Sequence, residues 1–187
     1  MSSNNLFHGR LVRLSAEDPE KVLEYLSRWG RDSEYWRLAM DEPAMWYSRR
    51  ENKEFIEKEL LGDQLDQFFF MIRTLEDDRI IGEIGLDGVL WSHGDAWVGI
   101  SIGEKEYWGR GYGTDAMRVL LHYAFTELNL HRISLSVFEY NPRAIRSYEK
   151  AGFVLEGRER EAIARGGKRW DMIYMGILRE EWERLNK

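Results

Sequence analysis

Three glycines, Gly109, Gly111 and Gly113, alternate through the stretch EYWGRGYGTDAM (106–117), immediately ahead of an apolar helical stripe. Without Cβ atoms, successive main-chain N–H groups from Gly109 to Thr114 can converge on an anion, and a helix dipole starting there favours negative charge. Arg110 adds a cation at the same place. Taken alone, the stretch reads equally well as a phosphate nest or as a flexible turn without a ligand. Gly111-Tyr112-Gly113-Thr114-Asp115-Ala116 also fits the dinucleotide pattern G-x-G-x-x-A, with Glu139 as the ribose acid. Against that, EKEYW (104–108) separates the glycines from the preceding strand, and too little chain follows for a doubly wound sheet. GISIG (99–103) matches the nucleophile pattern G-x-S-x-G around Ser101, with His122 and His131 downstream. Its alternation reads as strand, however, and the helix starts too late for a nucleophile elbow. No Gly-Lys-Ser/Thr follows the glycines, which excludes a Walker phosphate loop.

Other chemistries fall away by composition. The chain has no cysteine, which removes disulfides, thiolate metal sites and a cysteine nucleophile. His8, His93, His122 and His131 show no ligand spacing, so no metal is expected. A net charge of -6 argues against nucleic acid as a partner and mildly favours cations. SEYWRLAMDEPAMWY (33–47) mixes Tyr35, Trp36, Trp46 and Tyr47 with Glu34, Asp41 and Glu42. Aromatic faces beside carboxylates suit an ammonium group, with Trp36, Glu42 and Trp46 as the candidate contacts. Packing of large aromatics under a loop explains the same residues equally well.

Elements must hold these groups in place. The chain of 187 residues fits one domain, 1–187, with 43% apolar and 32% charged residues as in soluble globular proteins. No apolar run approaches the roughly 20 residues that cross a bilayer. The polar start MSSNN is unlike a signal peptide, so a cytoplasmic protein without membrane contact is expected. GRLVRLS (9–15) reads as a first strand. A helix follows from an Asp18 cap and Pro19 to Gly30, with Val22, Leu23, Leu26 and Trp29 at helical spacing. A capping box at Ser48 and Glu51 opens a second helix carrying Phe55, Ile56 and Leu60 before Gly62. QFFFMIRT, RIIGEIGLDGVL and AWVGISIG, joined by short turns, read as an antiparallel meander. A helix from about Thr114 to Asn129 buries Met117, Leu120, Leu121, Ala124, Phe125 and Leu128. Then come the strand RISLSVFE, a helix capped by Asn141 and Pro142 and closed by Gly152, and two strands turning at Gly166-Gly167. The fold class is α+β, a mixed, largely antiparallel twisted sheet of about six or seven strands with about four helices.

From about Trp97 to Leu178 the chain resembles the GNAT superfamily of acyl-CoA-dependent N-acetyltransferases. The likeness is strongest to the branch with ribosomal-protein N-terminal and spermidine acetyltransferases. WGRGYG is similar to the family's Q/R-x-x-G-x-G/A motif, with Trp108 where Gln or Arg is usual, and NPRAIRSYEKAGF (141–153) matches N-x-x-A-x-x-x-Y-x-x-x-G-F. GILREEW (176–182) also resembles that branch. The resemblance implies a GNAT-like fold and acetyl-CoA as co-substrate, its pyrophosphate held by Trp108, Gly109, Arg110, Gly111, Tyr112, Gly113 and Thr114. It further implies that Ile100, Ser101 and Ile102 pair with the pantetheine arm, helped by Asn141, and that Tyr148 is the general acid. A core role for Tyr148 beside Ile145 and Ala151 is the alternative. Glu83, by alternation in IIGEIG, is the candidate base, with Glu104 and Asp87 as rivals. The acceptor is then a primary amine of a peptide, polyamine or small molecule, and family habit allows a homodimer. A non-catalytic acyl-CoA-binding module is the alternative function.

Overall fold

The computed structural model describes residues 5–56 and 66–187. Seven strands form one sheet: β1 (Val12–Ser15), β2 (Phe68–Thr74), β3 (Ile80–Leu90), β4 (Asp95–Ile102), β5 (Arg132–Phe138), β6 (Val154–Arg165) and β7 (Lys168–Leu178), in the order β1-β2-β3-β4-β5-β7-β6. Short turns join β2, β3 and β4, so these pair antiparallel; β4 reaches β5 only through a helical crossover and pairs with it in parallel. That parallel pairing covers only Asp95–Trp97 against Arg132–Ser134. Beyond Trp97 the two strands part.

Six helices accompany the sheet among the described residues: α1 (Pro19–Trp29), α2 (Ser33–Ala39), α3 (Arg49–Phe55), α4 (Tyr112–Thr126), α5 (Pro142–Ala151) and α6 (Arg179–Leu185). The two beyond the expected four, α2 and α6, are a turn or two long and carry too few residues to show a period. Asp32 caps α2 by accepting from the N–H groups of Glu34 and Tyr35. The capping box at Ser48 and Glu51 is formed, whereas Leu60 and Gly62 lie outside the described residues. Asp18 precedes Pro19 as expected but makes no capping bond with its side chain. α4 starts at Tyr112 rather than Thr114 and stops at Thr126, because Gly111 already supplies the left-handed residue ahead of it and Asn129 (φ 55°) turns the chain afterwards.

Alternation along the strands sends apolar side chains to both faces. Ile72, Ile81 and Ile84 meet Met117, Leu120, Leu121 and Phe125 of α4 on one side. Met71 and Ile80 meet Val22, Leu23, Trp29, Tyr35 and Ile56 on the other. One buried charge fastens the chain start to this frame. Asp115 Oδ2 accepts from the N–H groups of Arg10 (2.9 Å), Leu11 (2.7 Å) and Val12 (3.1 Å), tying the segment before β1 to the first turn of α4. A Cβ on Gly9 would stand 2.3 Å from that oxygen, so only glycine passes there. Asp115→Ala is expected to cost about 2–3 kcal/mol, the penalty for stranding amide donors of which one is fully buried, read as a lower urea midpoint with an unchanged m value.

Candidate active site

Where β4 leaves β5, a cleft of about 910 Å³ opens between β4, the ends of β5 and α2, and the facing sides of α4 and α5. On its β4 wall the backbone from Val98 to Ile102 pairs with β3 on one side only, which leaves the other edge open to the cleft. Ile100 and Ile102 turn toward α4, where they are the near neighbours of Gly113. Ser101 turns to the opposite face.

The glycine loop closes one end. Gly109 (φ 72°) and Gly111 (φ 92°) take left-handed conformations that disfavour any side chain, and α4 begins without a side-chain cap. A Cβ on Gly113 would lie 3.7 Å from Ile102 and 3.9 Å from Ser147 Oγ, inside the gap between β4 and α5. Thr114 and Ser147 hydroxyls share a 2.7 Å hydrogen bond that links α4 to α5 across this gap. Free N–H groups, an aligned dipole and vacant Cβ positions together fit a diphosphate. The neighbouring side chains play other parts. Tyr112 is buried in the core, edge-on to Tyr107 at 4.9 Å, and can offer only its N–H group. Arg110 lies against the rings of Tyr107 and Tyr112, 5.7 Å from each centroid, and donates to the Glu106 carbonyl at 3.2 Å. Trp108 donates its indole N–H to the Ile102 carbonyl (2.7 Å) and carries the Arg143 guanidinium over its ring at 3.8 Å.

Arg10, Arg118, Arg143, Arg146 and Lys150 also line the cleft. Motif matching overlooked these cations; the signal was the spacing of 143, 146 and 150, one face of a helix. At the α5 end, Asn141 is buried and caps α5 through Oδ1 to the Ala144 N–H group (3.2 Å). Tyr148 lines the cleft one turn past Ala144, partly packed on the core. Burial pushes its hydroxyl up to about 12, and no hydrogen bond from a described residue acts on it.

On the face of β4 away from α4, Ser101 Oγ donates to Glu83 Oε1 at 2.8 Å. The Tyr35 hydroxyl lies 2.8 Å from Ser101 Oγ and 3.4 Å from the same carboxylate oxygen. Tyr35 and Ser101 line the cleft while Glu83 stands behind them. Burial raises Glu83 above the ordinary carboxylate range, against the two hydroxyls that favour its charged form. Burial and the Glu83 charge raise Tyr35 well above an ordinary phenol. Of the rival bases, Glu104 is held by Arg28, by the Trp29 indole (3.0 Å) and by Arg79 (3.0 Å). Asp87 lines the cleft and is raised by burial and by the charge of Asp66.

α2 meets the cleft through Tyr35, Leu38 and Ala39 and the loop after it through Asp41; Trp36, Glu42 and Trp46 lie outside the lining. Trp36 donates its indole N–H to the Pro43 carbonyl (3.0 Å) and packs on Tyr47 at 5.3 Å, while Trp46 is 83% exposed. Arg165, beside the β6–β7 turn, holds this loop by donating to the carbonyls of Met40 (3.0 Å), Asp41 (2.8 Å) and Glu42 (3.1 Å).

Residues 10–154 match the acetyltransferase (GNAT) domain family. An uncharacterized N-acetyltransferase, YnaD of Bacillus subtilis, is 30% identical over 168 residues, 89% of this chain and 91% of the relative. The putative ribosomal N-acetyltransferase YdaF of the same organism is 34% identical over 109 residues, 58% of this chain and 59% of the relative. Among solved structures, the spermidine N-acetyltransferase from Vibrio cholerae in complex with CoA and spermine superposes with a TM-score of 0.81 at 27% identity. That superposition covers 92% of this chain and 98% of the other.

Proposed function

The chain belongs to the GNAT acetyltransferase family and uses acetyl-CoA, and from that premise we propose that it acetylates a primary amine by direct attack, within one domain spanning 1–187. The observation that carries the reading is the continuity of the open β4 edge with the uncapped, glycine-lined start of α4. An extended arm pairs with the first as an added strand would, and its diphosphate reaches the second. Acetyl-CoA supplies the acyl group, activated as a thioester.

The protein's own groups do the rest. N–H groups from Gly109 to Thr114 hold the diphosphate, while Arg110 contributes field rather than contact. Ile100, Ser101 and Ile102 present backbone to the arm, and Asn141, with Oδ1 occupied by its own helix, offers its amide N–H groups. Glu83 takes the proton of the amine. Ser101 and Tyr35 stand between that carboxylate and the cleft, so the proton travels through a hydroxyl. Tyr148 donates toward the departing sulfur.

For the acceptor, Asp41, Asp87 and the half-exposed Trp97 on the lining support a cationic amine. Trp36, Glu42 and Trp46 stand behind Asp41 and meet only an acceptor long enough to pass it. The relative solved with spermine favours a polyamine, and the ribosomal one a peptide N-terminus. Incubation with acetyl-CoA and either spermidine, a peptide with a free N-terminus or a small alkylamine separates these. Thiol release is expected with one class and not without amine. No release with any amine, while CoA binds, would overturn the proposal.

A further inference from the structure

Arg143 is a half-buried cation in an anion cleft, and no described residue bonds its guanidinium. Glu34, the carboxylate whose charge acts on it, is bonded to Lys105 at 2.7 Å. What holds Arg143 in place is a ring. Its guanidinium lies 3.8 Å over Trp108, and that indole is anchored to the end of β4 through the Ile102 carbonyl. Stacking on an aromatic face fixes a guanidinium plane while leaving all five N–H donors directed outward along its edge.

Two placements put that guanidinium beside the glycine loop. Trp108 directly precedes Gly109, so the ring carrying the guanidinium is the first side chain of the nest itself. Ser147, one helical turn along α5 from Arg143, is bonded to Thr114 at the other side of the same nest. Arg118, Arg146 and Lys150 line the same cleft, but Arg118 is turned to the Lys150 carbonyl (2.8 Å) and, among the described residues, none of the three is seated on a ring.

We propose that Arg143, positioned by Trp108, is a ligand of the diphosphate of CoA, delivered to the glycine loop from α5 rather than from the loop's own sequence. The inference rests on the function proposed above. It gives Trp108, the one departure from the resembled motif, a role: the charge or donor absent at position 108 is replaced by a guanidinium seated on its ring. Arg110, which the loop does carry, is directed onto Tyr107 and Tyr112 instead.

Calorimetric titration with CoA and with dephospho-CoA, which keeps the diphosphate but lacks the 3′-phosphate, tests this without turnover. Arg143→Ala is expected to weaken both ligands about ten- to hundred-fold, as for loss of charge-assisted hydrogen bonds. Trp108→Leu should weaken them similarly, Trp108→Phe much less, and Trp108→Leu with Arg143→Ala little more than either alone, because platform and cation act as one unit. Thermal melts of each variant without ligand establish that it is folded. An affinity for both ligands within twofold of wild type in Arg143→Ala, a loss confined to CoA, or additive losses in the double variant would overturn the assignment. Failure of the wild-type protein itself to bind CoA would instead overturn the function on which it rests.

Discussion

Tyr148→Phe is expected to lower kcat by about 100-fold or more, while the affinity for acetyl-CoA stays within a few-fold of wild type. The ring packs against the core and is kept by the substitution, so the fold and cleft survive. Only the hydroxyl goes, and no hydrogen bond from a described residue acts on it. The effect therefore isolates donation. With its hydroxyl pushed up to about 12, Tyr148 stays protonated across the whole working range. The same value limits what it does. A free thiol titrates near 8.5, so complete transfer from this phenol runs uphill by about three to four units. The structure suits a strong hydrogen bond to sulfur as negative charge develops there, with the released thiolate taking its proton from solvent. The rate of the wild-type enzyme should accordingly show no alkaline fall from this group below about pH 11. A steady-state profile that falls near pH 9 in wild type and not in Tyr148→Phe, or an unchanged kcat in the variant, would remove Tyr148 from that role.

Glu83→Gln should move activity and stability in opposite directions. With Glu83 as the proposed proton acceptor, its loss is expected to lower kcat by about 100-fold. Stability follows from linkage. Burial raises the folded-state pKa of Glu83 above its unfolded value, so the native state binds this proton more tightly than the unfolded chain. Its contribution is then fully present below the unfolded pKa and is lost as pH rises through the raised folded value. At neutral pH the protein carries that penalty; a neutral Gln, still able to accept from Ser101, does not. The melting temperature of Glu83→Gln should exceed that of wild type at pH 7 and converge with it near pH 4. In kcat, wild type should show an acid limb from Glu83 that the variant lacks. A variant that melts lower at pH 7, or keeps the acid limb, argues for a structural rather than a proton-accepting carboxylate.

The elements that carry chemistry were legible because local rules determine them. Alternate glycines before a stripe and Asn-Pro before a helix that ends in glycine specify backbone shapes without reference to the rest of the chain. The expectation that residues 100–102 pair with an arm came from the resemblance, not from propensity, and the parting of β4 from β5 beyond Trp97 is what leaves their backbone open. α2 escaped because its seven residues show one turn of signal and its cap, Asp32, also suits a plain turn. The acceptor side was less legible for a related reason. Aromatic side chains at 36 and 46 advertise binding by type, yet only the tertiary arrangement reveals that one packs on Tyr47 and the other faces solvent. Arg143 was invisible on its own, because a surface arginine becomes a seated cation only when Trp108 comes beneath it.

Arg165 reaches across 125 positions of sequence to close the end of α2. If Asp41 receives the acceptor as proposed, the shape of that contact is encoded in two places at once. Exchange of the 33–47 segment for that of a relative would transplant a loop whose carbonyls at 40, 41 and 42 accept from a guanidinium of the far hairpin. Drift in this family should then couple the two stretches, so that a new acceptor is acquired by paired changes rather than by the swap of one cassette.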